Sequence, residues 1–168
     1  MRRREVRAAG LAAAVVAMAA AATAANGQTA PAASPPRLPE VAAIESTADA
    51  FMEALNTADV GKLAPLFAPD ATAFFPIGPF AERLENKDQI VKVFGAFFES
   101  VRRGGAGPRY MNLVPEDVRL QTFGSTALLT FQFKGPEMLS RRTLLLRNDN
   151  GTWRIVHLHA SNMAVQKR

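Results

Sequence analysis

The chain divides into a first half with helical hydrophobic spacing and a second half with strand spacing. Two stretches, one from Val41 and one from Asn86, carry apolar residues at steps of three and four. This periodicity is typical of helices that bury one face. The predicted faces are Val41, Ile44, Ala48, Phe51, Met52 and Leu55 in the first stretch and Ile90, Val93, Phe94, Phe97 and Val101 in the second.

Shorter elements lie between these two helices. Asp59 can cap a short helix that runs through Phe67, and Pro65 limits its length. Residues 70–75 then have the composition of a strand, and an apolar proline loop follows it at residues 76–80. Asn86 with Gln89 three residues later predicts the start of the next helix, and Gly104-Gly105 predicts its end.

Beyond residue 105 the hydrophobic spacing changes to alternation, which predicts strands. Gly124-Ser125 and the run Asn148–Gly151 are the turns between them. The four expected strands are residues 110–121 with a break at Pro115, 126–134, 140–147 and 152–163. Helices followed by consecutive antiparallel strands indicate an α+β domain in which the helices cover one face of a curved antiparallel sheet.

Both histidines and the single tryptophan fall in the last predicted strand. Strict alternation divides its side chains between the two faces of the sheet. One face would carry Trp153, Ile155, His157, His159 and Ser161, and the other Arg154, Val156, Leu158 and Ala160.

The N-terminus is predicted to direct export. An arginine-rich start, an alanine-rich apolar stretch and the small residues Ala22-Thr23-Ala24 predict a signal peptide over residues 1–24. Residues 25–39 are rich in proline and alanine and are expected to form a linker before a domain at 40–168. We therefore expect a periplasmic or secreted protein, with no stable membrane span after processing.

Charge and cysteine content narrow the function classes. The net charge of +5 falls once residues 1–24 are removed, because the 20 basic and 15 acidic side chains become 16 and 14. The charges that are left are interspersed, so no nucleic-acid partner is expected. The chain has no cysteine, which excludes disulfides and thiolate catalysis.

Three motifs in this order carry a family resemblance: Ala54–Asp59, Leu66–Ala71 and Trp153–Ser161. The chain resembles the nuclear transport factor 2-like superfamily, and its SnoaL-like branch most. The resemblance implies a cone-shaped α+β domain with N-terminal helices on the concave face of the sheet. Because the superfamily contains isomerases, cyclases, dehydratases, proteins named as oxidoreductases and binding or assembly domains, it leaves the activity open.

Two relatives allow residues to be compared. In ketosteroid isomerase-like proteins the general base and an oxyanion donor would fall at Phe75 and Phe51, so the resemblance argues against that chemistry. The last strand is similar to the association domain of calcium/calmodulin-dependent protein kinase type II. Its carboxylate-binding pocket arginines would fall on Lys134, Leu144 and Ala160, and Arg142 could substitute for a missing cation.

We take five residues as candidates for a ligand pocket: Tyr110, Lys134, Arg142, His157 and His159. The leading hypothesis is an exported protein that binds a small molecule. The alternatives are a SnoaL-like enzyme with His157 or His159 as acid or base, and a non-catalytic oligomerisation domain. Two histidines without a third histidine or a cysteine make a poor zinc site, although Glu53 could complete one, so neither a metal nor a cofactor is expected.

A homodimer is expected through the outer face of the sheet. Its basis is a set of apolar strand residues that the few helices could not all cover. These residues are Leu128, Leu144, Leu146, Val156 and Leu158.

Overall fold

The computed structural model describes residues 38–76, 82–105 and 107–165. Within these ranges, three helices and five strands follow one another. They are α1 (Leu38–Asn56), α2 (Val60–Leu63) with a 3-10 turn at Ala64–Leu66, β1 (Phe67–Phe74), α3 (Lys87–Gly104), β2 (Glu116–Phe123), β3 (Thr126–Lys134), β4 (Met138–Asp149) and β5 (Thr152–Ala164). The predicted signal peptide and most of the predicted linker lie outside the described residues.

The helix starts follow from the capping residues. The Asp59 side chain accepts a hydrogen bond from the Lys62 backbone N–H at 3.1 Å. The Asn86 side chain accepts one from the Gln89 N–H at 3.0 Å. Each satisfies a donor that the first helical turn leaves free. α1 begins at Leu38, so it includes the last two residues of the linker predicted at 25–39. No helix in the described ranges combines the length and apolar character needed to cross a bilayer.

The five strands form one sheet in the order β1-β5-β4-β3-β2. The pairs β2–β3, β3–β4 and β4–β5 are antiparallel, as predicted. β1 instead runs parallel to β5, so the sheet is mixed. Sequence adjacency does not show this pairing, because a parallel neighbour is reached only through a long connection. The segment 110–115, expected to begin a strand, is irregular, and β2 starts after Pro115.

One face of the sheet is covered by the helices. Phe51 of α1, Phe67 of β1 and Phe94 of α3 form the centre of the core, with ring centroids 6.2 to 6.4 Å apart. Phe98 of α3 is fully buried beside them. The prediction placed Phe97 on this buried face, but Phe97 is 37% exposed. We call the opposite surface of the sheet the outer face.

A β-bulge in β5 overturns the predicted division of its side chains. Leu145 pairs with His157 and Leu146 pairs with Ile155, which leaves Val156 as an additional residue. An additional residue reverses the alternation beyond it. Trp153 and Ile155 therefore face the core. His157, His159 and Ser161 lie on the outer face.

The observed faces of β3 to β5 also change the expected dimer surface. Leu144, Leu146 and Leu158 are at most 1% exposed and belong to the core. Of the five apolar residues on which the dimer expectation was based, only Leu128 and Val156 are half-buried and outside the core. Leu145, which the expectation omitted, lies on the outer face beside Leu128.

Candidate functional site

A cavity of about 200 Å³ opens between the helices and the sheet. Residues from α1, the two positions after β1, α3, the segment 111–113 and the three strands β3 to β5 form its wall. The described lining residues are Phe51, Leu55, Phe75, Pro76, Val93, Phe94, Phe97, Met111, Leu113, Phe133, Ser140, Arg142, Leu158 and Ala160. The wall is therefore mainly apolar and aromatic, with one cationic side chain.

That cation is Arg142, on β4 directly opposite Ala160 of β5. Its Nη1 donates hydrogen bonds to two backbone carbonyls, of Arg141 at 2.8 Å and of Ser161 at 3.4 Å. Its guanidinium carbon lies 5.6 Å from the centre of the Phe133 ring, within the range of a cation–π contact. Burial lowers the pKa of Arg142, but a guanidinium stays charged at neutral pH.

Arg142 has no acidic partner in the part of the chain that the structure describes, since no carboxylate there lies within 4 Å of its nitrogens. The arginines and lysines that do form ion pairs lie at the surface. A half-buried charge without a counter-charge is unfavourable unless a bound group supplies the opposite charge. The cavity therefore offers an anchoring point for an anionic group.

One wall of the cavity depends on a buried amide. Asn56, at the end of α1, is the one buried polar side chain in the described ranges, at 4% exposure. Its Oδ1 accepts from Leu113 N at 2.7 Å and its Nδ2 donates to Leu113 O at 3.1 Å. Its backbone carbonyl accepts from Met111 N at 3.1 Å. These bonds hold Met111 and Leu113, which have no strand neighbours, against the cavity.

Phe51 and Phe75 both lie in the cavity wall. These are the two positions at which the sequence resemblance placed the oxyanion donor and the general base of ketosteroid isomerases. Among the described lining residues there is no Asp, Glu, His, Lys or Tyr. The described part of the wall thus contains no side chain suited to act as a general base near neutral pH.

Of the five candidate residues, Arg142 lines the cavity and the other four do not. Lys134 lies at the end of β3 on the outer face, where it forms an ion pair with Glu116 at 2.7 Å. Its hydrogen bond to Glu116 raises the pKa of Lys134. Tyr110 is half-buried against the glycine turn after α3, where a Cβ on Gly107 would come within 2.4 Å of its ring.

The two histidines lie together on the outer face, separated from the cavity by the sheet. Thr72 Oγ1 of β1 is 2.8 Å from Nδ1 of His157. The Phe74 ring contacts both imidazoles, with centroid distances of 5.9 Å to His157 and 5.8 Å to His159. Burial lowers the pKa of His157, and the neighbouring charges of His159 and Arg83 lower it further. These effects favour the neutral form of the His157 imidazole.

Metal-binding groups are not assembled around these histidines. No group of three or more His, Cys, Asp or Glu side chains in the described ranges is placed to hold a metal ion. Glu53, considered as a third ligand, instead pairs with Arg109 at 3.4 Å and with Lys62 at 3.9 Å.

Sequence reasoning missed most of the apolar cavity wall and the role of Asn56. The motif Ala54–Asp59 contained Asn56, but an asparagine near a helix end is usually exposed or caps a turn. The sequence signal that was available is its position beside Leu55 on the buried face of a predicted helix. The sequence did not identify Met111 and Leu113 as cavity residues, because it predicts a strand over their segment.

Comparisons with known proteins assign the family. The family model for the SnoaL-like domain matches residues 44–166. No curated protein matches the chain significantly.

Solved structures with the same fold come from several bacteria. One from Streptomyces avermitilis, provisionally named a dehydratase of the NTF2-like family, is 20% identical, with a TM-score of 0.61 over 73% of this chain and 95% of that one. One from Xanthomonas campestris, provisionally named a calcium/calmodulin-dependent protein kinase II association domain, is 23% identical, with a TM-score of 0.53 over 74% and 86%. At such identities the likeness establishes the fold alone.

Proposed function

We propose that this chain, which belongs to the SnoaL-like domain family, binds a compact apolar carboxylate in the cavity between its helices and its sheet. The observation that carries the proposal is Arg142, a half-buried guanidinium without an acidic partner in the described residues, set in an apolar wall. A carboxylate would supply the missing charge, and hydrogen bonds to charged groups contribute about 1.5–3 kcal/mol.

The size of the cavity limits the ligand. A volume of 200 Å³ is below the range of about 300–1,000 Å³ that drug-sized ligands occupy. A ring or short branched chain with one carboxylate fits this volume, and the rings of Phe51, Phe75 and Phe94 offer aromatic contacts for such a body. Ser140 supplies a hydroxyl near the cation.

The test uses two probes that differ in one charge, benzoate and benzamide. We expect calorimetry at pH 7 to show benzoate binding more tightly, because only its carboxylate can pair with Arg142. Arg142→Gln should weaken benzoate binding by about ten- to a hundredfold, which corresponds to about 1.4–2.8 kcal/mol. Benzamide binding should change little in that variant.

Arg141→Gln is the matched control, because Arg141 is the preceding residue of the same strand but is exposed on the outer face. It should leave benzoate binding unchanged. Equal loss of affinity in both variants would contradict a site at Arg142. Without ligand, Arg142→Met should keep or raise the melting temperature, since it removes a poorly compensated buried charge.

We also propose that the outer face joins two copies of the chain. The helices of the described ranges pack on the other side of the sheet, so none of them covers this face. A five-stranded face of this length measures about 700 Å² from the spacing of strands and residues. Stable interfaces bury roughly 800 Å² on each partner. The name of the Xanthomonas campestris structure attributes association to that protein.

Export stays a proposal based on the sequence. If residues 1–24 are a signal peptide, protein isolated from the exported fraction should begin near Ala25. Intact-mass spectrometry would measure this directly. As a control, replacing the apolar stretch between Ala8 and Ala22 with a charged sequence should leave the full-length chain in the cytoplasm. Full-length protein in the exported fraction would contradict cleavage at this position.

A further inference from the structure

The histidine pair lies at the centre of the outer face. Strand register places its side chains in parallel rows across the sheet. Two adjacent rows contain the imidazoles. They are Thr72, His157, Leu145, Leu128 and Gln121, and Phe74, His159, Thr143, Thr130 and Arg119. We call these two rows the central rows.

Charged residues surround the central rows. At one end, Arg147 pairs with Asp70 at 3.1 Å and with Asp149 at 2.7 Å, and Arg154 lies beside them. At the other end lies Arg141, opposite Gln132 and Ser161. Within the central rows, Arg119 at the β2 edge is the one permanent charge. A centre depleted of charge inside a charged rim is the usual anatomy of a protein–protein interface.

We propose that His157 and His159 make self-association through the outer face dependent on protonation: the dimer forms while the imidazoles are neutral and separates when they carry protons. The inference rests on the proposed dimer. Two copies related by a two-fold axis bring four imidazoles into one dehydrated region. Protonation would then place up to four like charges there.

The surroundings of the histidines offer no counter-charge. In the described ranges, no carboxylate lies within 4 Å of either imidazole. β1 contributes Thr72 and Phe74, and its nearest carboxylate, Asp70, is already paired with Arg147.

The other elements around the pair contribute further positive charges. Arg154 lies on β5 itself, and Arg141 and Arg147 lie on β4, beyond the central rows. Next to β1, Arg83 adds a positive charge that is paired with Glu85 at 2.9 Å. The carboxylates among these described neighbours are therefore already paired with arginines, and none is left to compensate a proton on either imidazole.

The direction of the pH effect follows from linkage. Dehydration in an interface lowers the pKa of a histidine below its value in the separate monomer. Association is then strongest above that value and weakens as the pH falls through it. One unit of pKa lowering weakens association by about tenfold for each imidazole. Even two affected imidazoles per dimer give about a hundredfold.

The experiment is sedimentation of the purified chain across pH 8 to pH 5, with circular dichroism recorded on the same samples. We expect a dimer at pH 8 and a dissociation constant at least about a hundredfold larger at pH 5, with the fold retained. The fold should survive because Arg147 lowers the pKa values of Asp70 and Asp149 below their ordinary 3.8. Dissociation that coincides with loss of the folded signal would overturn the inference.

Two variants separate the inference from the dimer proposal. His157→Gln/His159→Gln should stay dimeric at both pH values, whereas loss of its dimer at pH 5 would overturn the role of the histidines. Thr143→Arg, in a central row, should be a folded monomer at pH 8. If Thr143→Arg stays dimeric, or the wild type is monomeric at pH 8, both proposals are overturned. Equal wild-type affinity at pH 8 and pH 5 overturns only the inference.

Discussion

Insertion of one alanine between His157 and Leu158 is expected to abolish the folded state. The bulge already accommodates one additional residue, Val156, and a second one would reverse the alternation of β5 beyond His157. Leu158 and Ala160 would turn to the outer face, and His159 would turn into the core. Exposing one buried leucine alone costs about 1.5–3 kcal/mol. Burying an imidazole without a partner adds more, so the total approaches the whole stability of a domain.

Deletion of Val156 is the matched control for this insertion. It removes the additional residue, so Ile155 and His157 become neighbours and regular alternation keeps Leu158 in the core. We expect a loss of about 1 kcal/mol. Circular dichroism and thermal denaturation should show a cooperative transition for the deletion and none for the insertion. An insertion variant that melts within a few degrees of the wild type would contradict strand register as the determinant of the two faces.

Replacement of Asn56 by alanine is expected to lower the melting temperature by about ten degrees. The substitution leaves the N–H and C=O of Leu113 without their side-chain partner, at a cost of about 1–3 kcal/mol for each unsatisfied buried group. In a domain of this size, each kcal/mol corresponds to about 3–6 degrees. Thermal denaturation would measure the effect.

Asn112→Ala is the control for Asn56→Ala, because Asn112 is an exposed asparagine in the same segment. It should shift the melting temperature by no more than a degree or two. If Asn56 instead tolerated alanine as well as Asn112 does, the buried amide would not be what holds the segment 111–113 in place. Exchange of the Leu113 amide hydrogen gives a local readout, which should become faster in Asn56→Ala.

Much of the fold could be predicted because it depends on local signals. The capping side chains of Asp59 and Asn86 act within one helical turn. Asn150 and Gly151 both have positive φ angles, 54° and 89°, as a two-residue hairpin turn requires. Amphipathic spacing identified α1 and α3 because a helix that covers a sheet must bury one face.

The site was harder to predict, because its residues come from segments far apart in the sequence. Arg142 was considered only as a substitute for missing cations, but it is the one candidate that reaches the cavity. Strand register decides this, since Arg142 lies opposite Ala160. The histidines attracted a chemical interpretation through their proximity in sequence, which carries no information about which side of the sheet they occupy once a bulge intervenes.

The sequence by itself determined the α+β class, the order of the elements and most of their ends, because these depend on hydrophobic periodicity and on caps and turns within a few residues. Tertiary structure decided the parallel pairing of β1 with β5, the faces of His157 and His159, and the partners of Asn56. Each of these depends on a contact between distant segments: a crossover to β5, the pairing of β4 with one more residue on β5, and the docking of residues 111–113 on the end of α1. A single additional residue in a strand costs little locally but exchanges every side chain beyond it between core and surface.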